Sequence, residues 1–209
     1  MSARAVPLTD RIVMIAVTPP IRWWGRLRVE GTELLEAPGA ILMIANHDSL
    51  WDPLVVGVAA KGVQVRALAK STLWKYPVVA QVLNGMGQIP IERGRGDAAA
   101  LSTAIEQLSA GACIGVFPEG TISRGREMRP LSGAGRLALH VPTCRVVAVT
   151  VTGAVDIARF PKRPRIRVVF AEPEGGQPTE GESAVAITKR VMARIRADAP
   201  FVAAGRKNR

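Results

Sequence analysis

The run from Ala40 to Ala45 constrains the fold of this chain most strongly, because every residue in it is apolar and a polar turn follows at once. An apolar run without alternation is typical of a central strand covered on both faces. The turn reads Asn-His-Asp-Ser-Leu-Trp-Asp over residues 46–52, which separates His47 from Asp52 by five positions. Side chains that share a helix face are three or four positions apart. The spacing therefore predicts that His47 ends the strand and that Asp52 begins the next helix, across a turn.

The Asp52 carboxylate has two interpretations at this point. It can hold one nitrogen of the His47 imidazole and leave the other free to accept a proton, as in a catalytic dyad. It can instead cap the following helix, because Pro53 would occupy the first helical position, which proline favours. A carboxylate has two oxygens and can serve both purposes, so the turn alone leaves both interpretations open.

Strand and helix patterns alternate along the rest of the chain. Strands are predicted at residues 26–31, 63–69, 88–91, 113–117, 145–151 and 165–170, and helices at 10–24, 53–60, 77–83, 97–111, 133–141 and 183–197. The basic side chains of the last helix, among them Arg196, are predicted to face away from the domain. Pro90 indicates that its strand lies at an edge of the sheet. The alternation predicts the α/β class, with a single domain in which a mixed, mostly parallel β-sheet is flanked by helices. We place this domain at residues 26–200, after a basic amphipathic segment at 1–25 and before a basic tail at 201–209.

The charge of the chain indicates an anionic partner. The sequence has 28 Lys and Arg against 17 Asp and Glu, a formal charge of +11. Such an excess favours binding to nucleic acid, to an anionic membrane surface or to phosphorylated ligands. Trp23 and Trp24 lie together between Arg22 and Arg26, and this clustering suits a bilayer interface better than base stacking.

The N-terminal segment has too little apolar sequence to span a bilayer. Its longest apolar run, residues 12–17, ends at Thr-Pro-Pro, whereas a spanning helix needs about 20 apolar residues. We expect no signal peptide, because no continuous apolar core precedes a small-residue cleavage site. The segment is instead predicted to be a helix capped by Asp10 that lies in the headgroup region of a membrane. The alternative is an ordinary helix packed on the domain.

The few cysteines and histidines limit the available chemistry. Cys113 and Cys144 lie in apolar stretches without CxxC spacing, which indicates buried free thiols. His140 lies in a helical pattern, so any imidazole chemistry is expected from His47. Two histidines exclude a histidine-rich zinc site, and we expect no metal.

Two further loops after predicted strands carry residues suited to a phosphorylated ligand. In Glu-Arg-Gly-Arg-Gly, residues 92–96, Arg93 offers paired N–H donors that match phosphate oxygens. In the loop at 117–125, Glu119 can bind a polyol and Arg124 its phosphate. The alternative for the loop at 92–96 is a solvated basic loop without a ligand. The alternative for the loop at 117–125 is a turn in which Glu119 pairs with a neighbouring arginine. Ser123 lacks the first glycine of the hydrolase nucleophile motif, which argues against a serine nucleophile.

Three motifs resemble those of the glycerolipid acyltransferase family, which includes the 1-acylglycerol-3-phosphate acyltransferases. They are Asn46-His-x4-Asp52, Gln88-Ile-Pro-Ile-Glu-Arg93 and Val116-Phe-Pro-Glu-Gly-Thr-Ile-Ser-Arg124. The resemblance covers residues 26–153, and the order and spacing of all three motifs make it specific. Two positions depart from the family's pattern: Ala148 stands where a proline is expected, and Leu131 stands where these enzymes often have a lysine.

The resemblance implies acyl transfer from acyl-CoA or acyl-carrier protein to the hydroxyl of a lysophospholipid, above all 1-acylglycerol-3-phosphate, to give phosphatidic acid. His47 would be the general base, and Asp52 would fix its tautomer. Arg93 would bind the phosphate of the acceptor. The rest of the acceptor site would come from the third motif, through Glu119, Gly120, Thr121, Ser123 and Arg124. No cofactor or metal is implied.

The implied partners are an anionic membrane surface, the lysophospholipid and the acyl donor, and not nucleic acid. We therefore expect a cytoplasmic protein that is peripheral on the inner face of the plasma membrane. One alternative is an acyltransferase with another acceptor, such as glycerol-3-phosphate, another lysophospholipid or a lyso-aminolipid. The others are a thioesterase that uses water and a non-catalytic basic module that binds membrane or nucleic acid.

Overall fold

The computed structural model describes residues 6–36, 38–92, 97–159, 161 and 163–203. Arg93 and its loop at 93–96 lie outside the described residues. The strands are β1 Arg28–Glu30, β2 Ile41–Ala45, β3 Val65–Lys70, β4 Ile89–Ile91, β5 Cys113–Val116, β6 Arg145–Thr152 and β7 Arg167–Ala171. The helices are α1 Leu8–Pro19, α2 Asp52–Ala59, α3 Pro77–Gly85, α4 Ala98–Ser109, α5 Gly133–His140 and α6 Ala184–Asp198.

These strands form one sheet in the order β1-β7-β6-β2-β5-β3-β4. Neighbouring strands are parallel except β6 and β7, which are antiparallel. The predicted α/β fold with a mixed, mostly parallel sheet is confirmed. Pro90 lies in β4 at one edge, as its missing N–H predicts. The boundaries proposed at residues 25 and 200 stay predictions.

Strand β2 lies at the centre of the sheet and is buried along its whole length. Ile41 and Met43 face a core layer shared with α2, whereas Leu42 and Ile44 face a second layer shared with α4, α5 and α6. Successive side chains on a strand point to opposite faces, so an apolar residue at every position is what a strand covered on both sides requires. Because β2, β5 and β6 run parallel, their carboxyl ends and the loops that follow meet at one edge.

The N-terminal segment is helix α1 followed by a five-residue π-helical turn, Pro20–Trp24. The prediction that Asp10 caps this helix is wrong. Pro7 is the N-cap, and Asp10 lies inside the first turn, where it is 5% exposed. Helix α1 packs closely on α2, since a Cβ added at Gly57 would lie 3.1 Å from the Met14 sulfur. No helix among the described residues is long and apolar enough to cross a membrane.

Candidate active site

His47 and Asp52 meet across the turn that follows β2, as their spacing predicts. His47 Nδ1 lies 3.2 Å from Asp52 Oδ2, and the two residues are 6% and 1% exposed. A carboxylate only accepts hydrogen bonds, so this contact requires the proton on Nδ1 and leaves Nε2 as an acceptor. The imidazole also packs on Phe117, with ring centroids 4.7 Å apart. The arrangement gives a histidine oriented to take up a proton at Nε2.

Asp52 does not cap α2, contrary to the interpretation that it holds the start of its own helix. It is the first residue of the helix, and the N-cap position belongs to Trp51, which makes no capping side-chain hydrogen bond. Asp52 Oδ2 accepts instead from the backbone N–H groups of Asp48, at 2.6 Å, and Ser49, at 2.7 Å. The turn folds back over the carboxylate, so the N–H groups of the turn, and not those of the helix, donate to its oxygen.

The surroundings of Asp52 act on its ionisation in opposite directions. Burial raises the pKa of the Asp52 carboxyl above its ordinary value. The hydrogen bonds from His47 and from the Ser49 backbone oppose this rise. The donors His47, Asp48 and Ser49 thus favour the ionised carboxylate, against the effect of burial.

The loop after β5 holds the backbone of His47 on both sides. Glu119 Oε2 accepts from the His47 N–H at 2.8 Å, and the Ser123 N–H donates to the His47 carbonyl at 2.9 Å. The Ser123 hydroxyl donates to Asp48. Glu119 is buried, and burial raises the pKa of its carboxyl. The structure thus brings the first and third motifs together, as expected for loops at the same edge of a sheet.

The other predicted residues of the third motif take different positions. Gly120 has a left-handed φ of +68°, and a Cβ there would lie 2.9 Å from a Leu131 methyl, so glycine suits the turn. Thr121 and Arg124 are exposed at the end of this loop, and Thr121 lines the cavity described below. Binding of the acceptor by these residues stays a prediction.

Two further residues of the site were not predicted. Asn46 is fully buried, and its side chain donates to the Val151 carbonyl and accepts from the Val151 N–H, both at 2.8 Å, which joins the end of β2 to β6. Arg196 was predicted to face away from the domain, and this is wrong. Its guanidinium contacts Asp48 and Glu119. Arg196 lies four positions after buried Met192, and this spacing on α6 was the available signal.

An apolar cavity of about 440 Å³ opens beside His47. Its walls include Met43 and Val65 of the sheet, and Met14 and Val56 of the helices above it. This volume falls within the range of small-molecule sites, and the wall would favour a hydrocarbon chain. Asp10 also lines the cavity, and burial raises the pKa of its carboxyl.

The acidic side chains at the site are engaged by histidine, arginine and backbone N–H groups. Within the described ranges, no group of three or more His, Cys, Asp or Glu side chains is placed to hold a metal ion. Cys113 and Cys144 are buried and not joined in a disulfide. The chemistry that the arrangement offers is proton transfer at His47 next to an apolar cavity.

Comparison with known proteins gives consistent matches. The Acyltransferase family profile matches residues 26–152. The 1-acyl-sn-glycerol-3-phosphate acyltransferase of Bacillus subtilis is 25% identical over 73% of this chain and 66% of its own length. The corresponding protein of Borreliella burgdorferi is 34% identical over 56% of this chain and 48% of its own length. A lyso-ornithine lipid O-acyltransferase of Pseudomonas aeruginosa is 32% identical over 61% of this chain and 53% of its own length. The chain thus spans about half to two thirds of these relatives.

A solved structure shares the fold. The 1-acyl-sn-glycerophosphate (LPA) acyltransferase PlsC from Thermotoga maritima superimposes with a TM-score of 0.73 and 22% sequence identity, over 91% of this chain and 78% of that one. The family profile covers more than half of the sequence and includes both motifs that meet at His47. The chain therefore belongs to the acyltransferase family.

Proposed function

We propose that this chain transfers a fatty acyl group from acyl-CoA or acyl-carrier protein to the free hydroxyl of a lysophospholipid, with 1-acylglycerol-3-phosphate as the preferred acceptor and phosphatidic acid as the product. The observation that carries this proposal is the buried His47–Asp52 pair beside an apolar cavity. The relatives named for the same reaction support the choice of acceptor.

In the proposed reaction, His47 Nε2 removes the proton of the acceptor hydroxyl as its oxygen attacks the thioester carbonyl. An ester C–O bond forms, the C–S bond breaks, and the proton passes from His47 to the leaving thiolate. Asp52 stabilises the imidazolium that exists between these steps. General-base assistance of this kind contributes about 100- to 10,000-fold to a rate. The hydroxyl needs it, because an alcohol is a weak nucleophile toward a thioester.

The substrates are assigned to the two sides of His47. The acyl chain enters the apolar cavity, which His47 and Phe117 line at the carboxyl end of the strands. The acceptor approaches from the exposed side, where Thr121 and Arg124 lie on the third-motif loop. Arg93, two positions after the last residue of β4 in the sequence, would bind the phosphate of the acceptor. A guanidinium suits this purpose because its N–H donors match phosphate oxygens in pairs.

We further propose that the protein binds an anionic membrane surface, at the inner face of the plasma membrane, where its substrate and product reside. Helix α1 leaves Leu8, Ile12 and Ile15 exposed, and Trp23 on the next turn is 73% exposed. Val78 on neighbouring α3 is exposed as well. The formal charge of +11 adds attraction, since each Lys or Arg near an anionic leaflet contributes about 1 kcal/mol.

The experiment that tests this function follows acyl-CoA and acyl-carrier protein thioesters with the purified chain and a panel of acceptors. We expect thiol release that depends on lysophosphatidate and yields phosphatidic acid, identified by mass spectrometry. The panel includes glycerol-3-phosphate, another lysophospholipid and a lyso-ornithine lipid, because one relative is named for the last acceptor. Thiol release that is indifferent to every acceptor would indicate a thioesterase, and no release from any donor would contradict the proposal.

A further inference from the structure

Arg196 of α6 has all three guanidinium nitrogens engaged beneath the His47 turn. Nε donates to Glu119 Oε1 at 2.6 Å, whereas Nη1 and Nη2 donate to the two carboxylate oxygens of Asp48 at 2.7 and 3.0 Å. Nη1 also donates to the Ala199 carbonyl at 3.0 Å. The ring of Phe201 covers the guanidinium, with its centroid 3.8 Å from the central carbon. The side chain is 10% exposed, so this cation is withdrawn from solvent and shared between two acids.

The two acids that Arg196 joins are themselves fastened to the backbone around His47. Glu119 accepts from the His47 N–H at 2.8 Å. Asp48, the next residue, accepts from the Ser123 hydroxyl, and the Ser123 N–H donates to the His47 carbonyl. The His47 N–H is therefore held by Glu119, which contacts Arg196 directly, and the His47 C=O is held by Ser123, which connects to Arg196 through Asp48.

The charges make this arrangement dependent on the arginine. Asp48 and Glu119 are both buried, and two buried carboxylates repel each other unless a cation lies between them. Burial raises the pKa of the Glu119 carboxyl, and the charge of Arg196 is the main influence that opposes it. A lysine carries the same charge but offers a single point of attachment, whereas the fork of a guanidinium reaches two carboxylates at once.

Arg196 lies outside the apolar cavity that is assigned to the acyl chain. The described residues that line the apolar cavity do not include it, and its guanidinium lies behind the turn, covered by Phe201. Its contacts with Asp48 and Glu119 connect it to the backbone of His47 and so to the position of the imidazole.

We propose that Arg196 is a positioning residue for the acyl transfer, which fixes the backbone of His47 through Asp48 and Glu119. The inference rests on the function proposed above. Through Arg196, helix α6 contacts the turn of His47, which is distant from it in sequence. Helix α6 thus stabilises the active site in addition to packing on the sheet.

The test compares Arg196→Lys and Arg196→Met with the control Arg194→Met. Arg194 lies on the same helix, but its ion pair with Asp198 is on the surface. Displacement of a reacting group by about 1 Å costs on the order of 100-fold in rate. We expect about 100-fold lower kcat for Arg196→Met and about 10-fold lower kcat for Arg196→Lys, with KM for the acyl donor unchanged in both. Arg194→Met should retain the wild-type values.

A second measurement separates positioning from loss of fold and does not depend on activity. The chain has two histidines, and His140 is exposed on α5, so the NMR signals of the His47 imidazole have an internal reference. In Arg196→Lys, we expect the His47 signals to shift or broaden while the His140 signals and the circular dichroism spectrum stay unchanged.

Wild-type kcat together with unchanged His47 signals in Arg196→Lys would overturn the inference. A rise in KM at constant kcat in that variant would overturn it too, because it would place Arg196 in substrate binding. If Arg196→Met does not fold, Arg196→Lys decides the outcome alone. A wild-type protein without acyl transfer would contradict the proposed function, and the NMR comparison would still decide whether Arg196 positions His47.

Discussion

Replacement of Asp52 by asparagine tests the His47–Asp52 pair with almost no change in shape. The variant keeps an oxygen that can accept from the backbone N–H groups of Asp48 and Ser49. It loses the negative charge that lies 3.2 Å from His47 Nδ1. If His47 is the general base, this negative charge stabilises the imidazole most strongly when the imidazole carries the proton taken from the acceptor hydroxyl.

The size of the effect follows from that distance. Two unit charges 3.2 Å apart attract by about 5 kcal/mol at an effective dielectric constant of about 20. Each 1.36 kcal/mol is tenfold in rate, so about 5 kcal/mol corresponds to at most roughly 10,000-fold. The amide dipole of the asparagine would replace part of the lost electrostatic attraction. We therefore expect kcat to fall by about 100- to 10,000-fold. The assay is acceptor-dependent thiol release at saturating substrates.

The Asp52→Asn substitution should not lower the free energy of unfolding. Burial raises the pKa of the Asp52 carboxyl, so the folded state favours its neutral form. A group with a raised folded pKa stabilises the protein fully at low pH and loses that contribution as the pH rises through the folded value. At neutral pH the charged carboxylate carries a desolvation cost that a neutral amide avoids. We therefore expect an unfolding temperature of Asp52→Asn at or above that of the wild type.

Asp156→Asn is a suitable control, since it makes the same change of side chain at a partly exposed ion pair with Arg159. This variant should retain wild-type kcat. A kcat for Asp52→Asn within about threefold of wild type would refute the assigned role, because a Coulomb interaction at this distance is worth far more. A fall in kcat accompanied by unfolding would refute the stability argument.

Three further predictions address other parts of the structure. Ala67→Phe, which adds a ring at the wall of the apolar cavity, should shift the donor preference toward shorter acyl chains, and unchanged selectivity would place the chain elsewhere. Ile15→Asp, at an exposed position of α1, should weaken sedimentation of the protein with anionic vesicles, whereas Val185→Asp, at an exposed position of α6, should not. An equal loss of sedimentation in the two variants would exclude α1 as the membrane contact. Burial raises the pKa of the Cys144 thiol to about 11, so about one thiol in a thousand is ionised at pH 8, and iodoacetamide should label Cys144 only after unfolding.

Sequence reasoning succeeded where the cause of the structure is local. The unbroken apolar run before His47 identified a strand covered on both faces, and β2 is buried throughout. The five-residue spacing identified a turn that joins His47 to Asp52, because side chains five positions apart do not share a helix face. The order of the motifs at strand ends then brought Glu119 to the same edge of the sheet.

The errors arose where contacts between distant segments decide the structure. Arg196 was assigned to the surface because it lies among other basic residues, yet its position on α6 meets the His47 turn only after the helix packs on the sheet. Asp10 was assigned as a helix cap by residue type, but α1 begins at Leu8 and turns that carboxyl toward the cavity. The four-residue spacing of Arg196 from Met192 is informative only once it is known which face of α6 the rest of the domain covers, and the same holds for Asp10 on α1.

The role of His47 is the central claim, and replacing it by alanine tests that claim most directly. His140→Ala is the matched control, because it removes the other histidine of the chain from an exposed position on α5. Both purified variants would be assayed for phosphatidic acid formed from lysophosphatidate and an acyl thioester, with circular dichroism as the check on folding. We predict that His47→Ala is folded and loses at least about 100-fold in rate, while His140→Ala equals the wild type. Full acyl transfer by a folded His47→Ala variant would contradict the assignment of His47 as the general base.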